Sequence, residues 1–307
     1  MTNGIRSLRP SGTFMGIPHA SALRPGQAAV IGLPFDCGAH PTRVGCRQGP
    51  RAIREQSGLV RPFYPPLSDT NVLEDFEAVD LGDADVTSAD VEPSLAAIER
   101  VLDDVFSAGG YPVTMGGDGL VTLPQLRALH RHYGDAVVLH IDAHTDSYPG
   151  EGYNTGITFT RAAEEGLVDT SRSFHVGARG TLALSGAYDH TRSLGYHVIT
   201  GQEVADDGLP AVVAELRRTI GTRPVYLCFD MDYFDPSAAP GVATPTWGGP
   251  GTREVFALLH ELKGLKIVAL DVNTVSPPHD VGGMTAYLAG TVMLVGMHLM
   301  ALGRNVG

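Results

Sequence analysis

Cysteine, basic charge and flexible linkers are all scarce in this 307-residue chain, and each scarcity narrows what it can be. There are only three cysteines, Cys37, Cys46 and Cys228, an odd number with no C-x-x-C pair. That excludes a disulfide framework and points to a reducing compartment, so a cytoplasmic location is expected. The 22 Lys and Arg are outnumbered by 34 Asp and Glu, giving a net charge of −12, which argues against a nucleic-acid partner. Charged residues total 18% and hydrophobic residues 43%, too little charge for a disordered chain and enough apolar material for a large core. Met1 to Pro10 lacks the apolar centre of a secretory signal. From Val281 to Gly303 no Asp, Glu, Lys or Arg occurs, long enough to span a bilayer. His298, Thr285, Thr291 and several glycines dilute that run, so a buried final helix is expected and no membrane partner. No stretch reads as a linker or a repeat. Arg61–Pro66 and Ala238–Gly251 are short and loop-like, which predicts a single domain over residues 1–307.

What is present is a regular alternation. Apolar runs predict strands at Ala28–Leu33, Ala78–Leu81, Tyr111–Met115, Ala136–Ile141, Ser173–Val176, Tyr196–Ile199, Val225–Phe229 and Ile267–Leu270. Helical patterns fall between them at Gly49–Gln56, Val91–Ala108, Leu123–Tyr133, Ile157–Glu165, Leu182–Leu194, Leu209–Ile220, Thr252–Leu262 and Gly282–Leu302. Buried strands alternating with crossover helices predict an α/β fold: a three-layer α/β/α sandwich around a mostly parallel sheet of about eight strands. Ligands of such sheets bind beyond the carboxyl ends of the strands, so the residues just after each run are the ones to inspect.

Several runs end in dense acid: Gly116-Gly117-Asp118, Asp142-Ala143-His144-Thr145-Asp146 and Asp230-Met231-Asp232. Carboxylates this close repel one another unless a cation neutralises them. Asp142, His144 and Asp146 are two apart and project to one side of an extended strand end, as do Asp230 and Asp232. Four carboxylates with one imidazole suit Mn²⁺ better than a structural zinc site, and exceed what one ion needs. His140, inside the strand, reads as a core histidine turned away from this set. Cys46 and Cys228 read as small apolar fillers, and Met293, Met297 and Met300 as helix packing.

On these residues the sequence resembles the ureohydrolase family of arginase, agmatinase and proclavaminate amidinohydrolase. The likeness runs along nearly the whole chain: Phe14-Met15-Gly16-Ile17-Pro18-His19, then Gly45-Cys46-Arg47-Gln48-Gly49-Pro50-Arg51-Ala52-Ile53-Arg54, the acid motifs above, Asp235-Pro236 and Val275-Ser276-Pro277-Pro278. Its N-terminal extension places it nearer agmatinase than arginase. The resemblance implies a trimer or hexamer, with Asp142 and Asp230 shared between two Mn²⁺ ions. It further implies that His144 and Asp232 complete the second ion's shell, and that Asp146 binds the first and acts in catalysis by orienting a hydroxide. The implied reaction is hydrolysis of a guanidinium to urea and an amine.

Three positions depart from the family pattern. Gly119 stands where Gly-Gly-Asp is normally followed by a ligating His. Asn154-Thr155-Gly156 replaces a segment with a proton-shuttling His, and Thr274, after Asn273, replaces the Glu that pairs with the guanidinium. Losing one partner of such a buried pair costs on the order of 2–5 kcal/mol. The imidazole missing at position 119 weakens the first ion, so one tight Mn²⁺, with a second weak or absent, is expected, with Asn154, Thr155 and Thr274 lining the substrate site. Three readings follow: a hydrolase of this family with an altered small-molecule substrate, a conventional amidinohydrolase of the agmatinase or guanidinobutyrase type, and a non-catalytic member with a structural or regulatory role. The five ligands that remain favour activity over decay, and three changes confined to the pocket favour an altered substrate, so the first is preferred.

Overall fold

The computed structural model describes residues 12–304 apart from 39, 41 and 135, so the Met1–Pro10 segment lies outside it. All eight expected strands are present: β1 Ala28–Gly32, β2 Val79–Asp83, β3 Tyr111–Met115, β4 Val137–Ile141, β5 Phe174–Ala178, β6 His197–Thr200, β7 Val225–Asp230 and β8 Ile267–Asn273. They form one parallel sheet in the order β2-β1-β3-β8-β7-β4-β5-β6. Parallel neighbours cannot be joined by tight hairpins, so the chain must cross over between them, and most crossovers contain helices.

Strand alternation divides the core. Val137, Leu139 and Ile141 of β4 face one apolar layer, built with α1 (Gly49–Ser57), α2 (Val72–Asp75), α8 (Leu209–Ile220), α9 (Thr252–Glu261) and α10 (Met284–Gly303). Val138 of the same strand faces the other layer, with α3 (Val91–Ser107), α4 (Thr122–His132) and α5 (Thr158–Glu164). This is the expected three-layer α/β/α arrangement, and it fixes parity: even-numbered positions of β4 face α5.

Helix α10 is apolar all round and long enough to cross a membrane, yet 72% of its most apolar stretch is buried within the protein. Met293, Met297 and Met300 are fully buried there, as the packing reading expected. Gly296 allows this close approach, since a Cβ at that position would lie 2.4 Å from Leu270 of β8.

Two differences from the sequence-based expectation have local causes. The helix expected from Leu182 begins only at Ala187, as α6 (Ala187–Ser193), because Gly186 takes a left-handed conformation at its start and leaves Leu182 and Leu184 exposed. An unexpected α7 (Gly201–Asp207) is set off by a capping box: the Thr200 hydroxyl accepts from Glu203 N at 3.2 Å, and Glu203 Oε2 accepts from Thr200 N at 2.7 Å.

The edge of the sheet is pinned by charge. Arg54 of α1 meets Asp80 of β2 in a two-pronged pair, with Nε–Oδ2 and Nη2–Oδ1 both 2.9 Å and both side chains under a tenth exposed. Asp80 Oδ2 also accepts from Phe14 N at 2.8 Å. Asp80→Ala would leave Arg54 buried without its main partner, at a cost of about 3–5 kcal/mol. Urea unfolding should show the midpoint falling accordingly; an unchanged midpoint would mean that Asp83 alone holds Arg54.

Candidate metal centre

The acid motifs sit at the carboxyl ends of β3, β7 and β4, with the end of β8 and its Thr274 between the first two. Asp142 follows β4 directly, Asp230 is the last residue of β7, and Asp232 lies in the single helical turn Met231–Tyr233. All three are buried, at 1%, 2% and 2% exposure. Asp146 closes the β4 motif with a left-handed backbone, φ +43°, an uncommon conformation for a non-glycine residue that turns the chain back over the strand ends.

His144 is the hinge of the cluster. Its Nδ1 lies 3.2 Å from Asp142 Oδ1 and 3.1 Å from Asp232 Oδ2, while its Nε2 meets Thr246 Oγ1 at 3.1 Å. Thr246 thus orients the ring through the nitrogen that faces away from the carboxylates, as an outer partner would for a ligating imidazole. Backbone N–H groups aim the carboxylates: His144 N donates to Asp142 Oδ1 at 2.5 Å, Ala143 N to Asp232 Oδ1 at 3.2 Å and Asp232 N to Asp230 Oδ1 at 2.7 Å.

The electrostatics call for a cation. Burial pushes the Asp230 and Asp146 carboxyls well above their usual range, and Asp232 to about 6, with neighbouring carboxylates adding to the shift. Burial also takes Asp118 to about 6. Burial alone would disfavour charge on His144, but Asp232 and Asp142 outweigh it and hold its pKa well above the usual value. Asp142 Oδ2 is buried with no aligned hydrogen-bond donor. Asp142, His144 and Asp232 bring ligand atoms within 4.8 Å of one another, and Asp230 adjoins them, so this set fits one divalent ion.

His144, Asp146, Asn154, Thr155, Asp230, Asp232 and Thr274 share a cavity of about 380 Å³. Thr274, at φ +65°, donates its hydroxyl proton to Asp230 Oδ1, and its backbone N–H reaches Gly117 O at 2.8 Å. Gly119 faces the same place: a Cβ there would lie 2.8 Å from the Thr155 methyl and 2.9 Å from Asp146 Oδ2. Two of the departures are therefore in contact, the Thr155 methyl standing over the glycine.

His140 corrects the sequence reading. Counting by twos along β4 puts it on the Asp142 side, and its Nε2 lies 2.8 Å from Asp142 Oδ2. It is not turned away, and the same parity rule applied to Asp142 would have found it. Other contacts had no sequence signal. Arg179 Nη2 donates to Asp232 O and Thr246 O, both at 2.9 Å, latching the loop that carries exposed Trp247 to the floor of the centre. Cys46 and Cys228 are buried fillers, and burial raises both thiols well above their usual pKa. Burial also pushes half-buried Cys37, 3.7 Å from Thr155 Oγ1, up to about 12.

An acid-lined centre at the strand ends of an eight-stranded parallel sheet defines an α/β protein built to hold a divalent cation. The chain belongs to the arginase family, whose model matches residues 26–298. It is 40% identical over 293 residues to guanidinopropionase of Pseudomonas aeruginosa, covering 94% of this chain and 91% of that one. Guanidinobutyrase of the same organism is 34% identical over 287 residues, covering 92% and 89%. The solved structure of proclavaminate amidinohydrolase from Streptomyces clavuligerus matches with a TM-score of 0.90 at 34% identity, covering 96% of this chain and 98% of that one.

Two outcomes follow from the geometry. His144→Ala should lose tight Mn²⁺ binding while keeping its circular dichroism spectrum, because carboxylates alone compete poorly for a transition metal; equilibrium dialysis with elemental analysis checks this, and unchanged binding would remove His144 from the ligand set. Gly119→Ala should cost on the order of 1–3 kcal/mol through overpacking. Thr155→Ser removes the crowding methyl, so a double-mutant cycle should show positive coupling, and simple additivity would contradict the contact.

Proposed function

We propose that this chain is a metal-dependent hydrolase of the arginase family that cleaves a non-peptide C–N bond in a small guanidine, amidine or amide. Its substrate is neutral, or differently protonated, where the family's usual substrate is a guanidinium. Relatives named guanidinopropionase and guanidinobutyrase support the broader class. The observation that carries the narrower one is the hydroxyl of Thr274, facing the cavity where the family pattern has a carboxylate.

An ion of the Mn²⁺ type held by Asp142, His144, Asp230 and Asp232 would supply the charge that lowers the pKa of a water and polarises the substrate. Thr274 Oγ1, its proton donated to Asp230, keeps lone pairs for a substrate N–H. A cationic head at this point would meet a hydroxyl where the family pattern has a paired carboxylate, whereas a neutral one can pair fully with it. The Asp146 carboxylate lines the same cavity, and no hydrogen bond reaches it from the described residues, so it is free to orient a water and take up its proton. Asn154 and Thr155 complete the wall with neutral polar groups, which suits a leaving group needing little protonation. In this reading the enzyme is a cytoplasmic homo-oligomer, trimeric or hexameric.

The test is metal content by elemental analysis together with urea, ammonia and amine release from a panel of guanidino, amidino and amide compounds. The expected result is one tightly held ion and turnover outside the arginine and agmatine class. Restoring Gly119→His, Thr155→His and Thr274→Glu together should raise agmatine or guanidinobutyrate hydrolysis at least tenfold, the equivalent of ~1.4 kcal/mol. Robust turnover of arginine or agmatine by the unaltered protein would establish the conventional activity instead, and a metal-free protein inert on the whole panel would establish a non-catalytic role.

A further inference from the structure

We infer that Arg43 and His40 hold an anionic end of the substrate, so that the compound cleaved carries a carboxylate remote from the bond that breaks. The inference deepens the hydrolase reading and rests on it. Both residues line the cavity that holds Asp146, Asp230 and Thr274, and both are half-buried. The Arg43 guanidinium is fixed by backbone carbonyls: Nη2 donates to Val242 O at 2.7 Å and Pro240 O at 3.0 Å, and Nε to Ala243 O at 3.2 Å. Those carbonyls aim the group without neutralising it. Among the described residues no carboxylate pairs with Arg43, and no hydrogen bond occupies its Nη1.

His40 presents a second donor. Its Nδ1 accepts from Arg43 N at 3.1 Å and from Thr42 N at 3.3 Å, and a ring nitrogen that accepts carries no proton. The ring proton is therefore on Nε2, which makes no hydrogen bond with the described residues. His279 adds to the imbalance: burial lowers its pKa, nearby Arg43 and His40 lower it further, and its Nε2 is buried without a partner. Asp36, on the same loop as His40, offers no compensation, because its oxygens already accept from the N–H groups of Gly38, Gly45 and Cys46. The carboxylates of the centre are claimed by His144 and the ion they hold, so the charge that Arg43 lacks has to arrive with the substrate. The two N–H bonds of Nη1 and the one of Nε2 match the two oxygens of a carboxylate, whereas a phosphate would bring more acceptors than there are donors.

Isothermal titration calorimetry on the Mn²⁺-loaded full chain tests this with two matched pairs: 4-ureidobutanoic acid against its primary amide, and 4-guanidinobutanoic acid against its primary amide. In each pair the acid should bind at least tenfold more tightly, the equivalent of ~1.4 kcal/mol. His40→Ala should cut that preference severalfold, and His40→Glu should reverse it, the amide then binding better than the acid. Should the His40 variants fail to fold, Arg43→Gln is measured by the same ratio, with circular dichroism checking that its loop contacts are not needed for folding. Equal binding of acid and amide by the unaltered protein, or an acid preference unmoved in these variants, would overturn the tail assignment. Tighter binding of the guanidino head than of the ureido head would overturn the neutral-head reading alone, since the tail ratio is taken within each pair. Binding of none of the four compounds would overturn both.

Discussion

Mutual repulsion among buried carboxylates is the constraint on which this structure turns. Asp142, Asp230, Asp232 and Asp146 are brought together out of water at the ends of adjoining strands, and a chain would not hold them there at neutral pH without compensation. Part of the compensation is built in: backbone N–H groups aim the oxygens, and His144 sits between Asp142 and Asp232. The rest is left for a cation. The sheet makes this possible because apolar burial on both faces, and the Arg54–Asp80 clamp at its edge, are independent of the centre.

Much of the molecule was legible in the sequence because parallel strands buried on both faces read as continuous apolar runs, and β3 and α8 were found to the residue. Helix α7 was missed because its signal is a cap, Thr200 with Glu203, rather than an apolar stripe. In the centre, the spacing by twos recovered Asp142, His144 and Asp146 and, wrongly applied, lost His140. The contacts of Arg179 and Thr246 were not legible at all: they join residues 53 or more positions apart in sequence through a loop without periodicity.

The departures at Gly119 and Thr155 are better understood as one change than as two. The methyl of Thr155 occupies room that exists only because residue 119 has no side chain, so neither position can be restored without disturbing the other. Thr274 is set in a different way, its hydroxyl bound to the Asp230 carboxylate and its backbone in a left-handed turn beside Gly117. Each altered residue thus has its own neighbours, which argues for a remodelled cavity over an accumulation of unsupported losses.

The latch formed by Arg179 gives the protein a built-in optical probe. Trp247 is the chain's one tryptophan, three-quarters exposed, and follows directly on Thr246, whose hydroxyl holds His144 and whose carbonyl accepts from Arg179. Any shift of the imidazole on taking up an ion passes through a single residue to that indole, so ion uptake can be followed as a change in native fluorescence, with no label and no substrate.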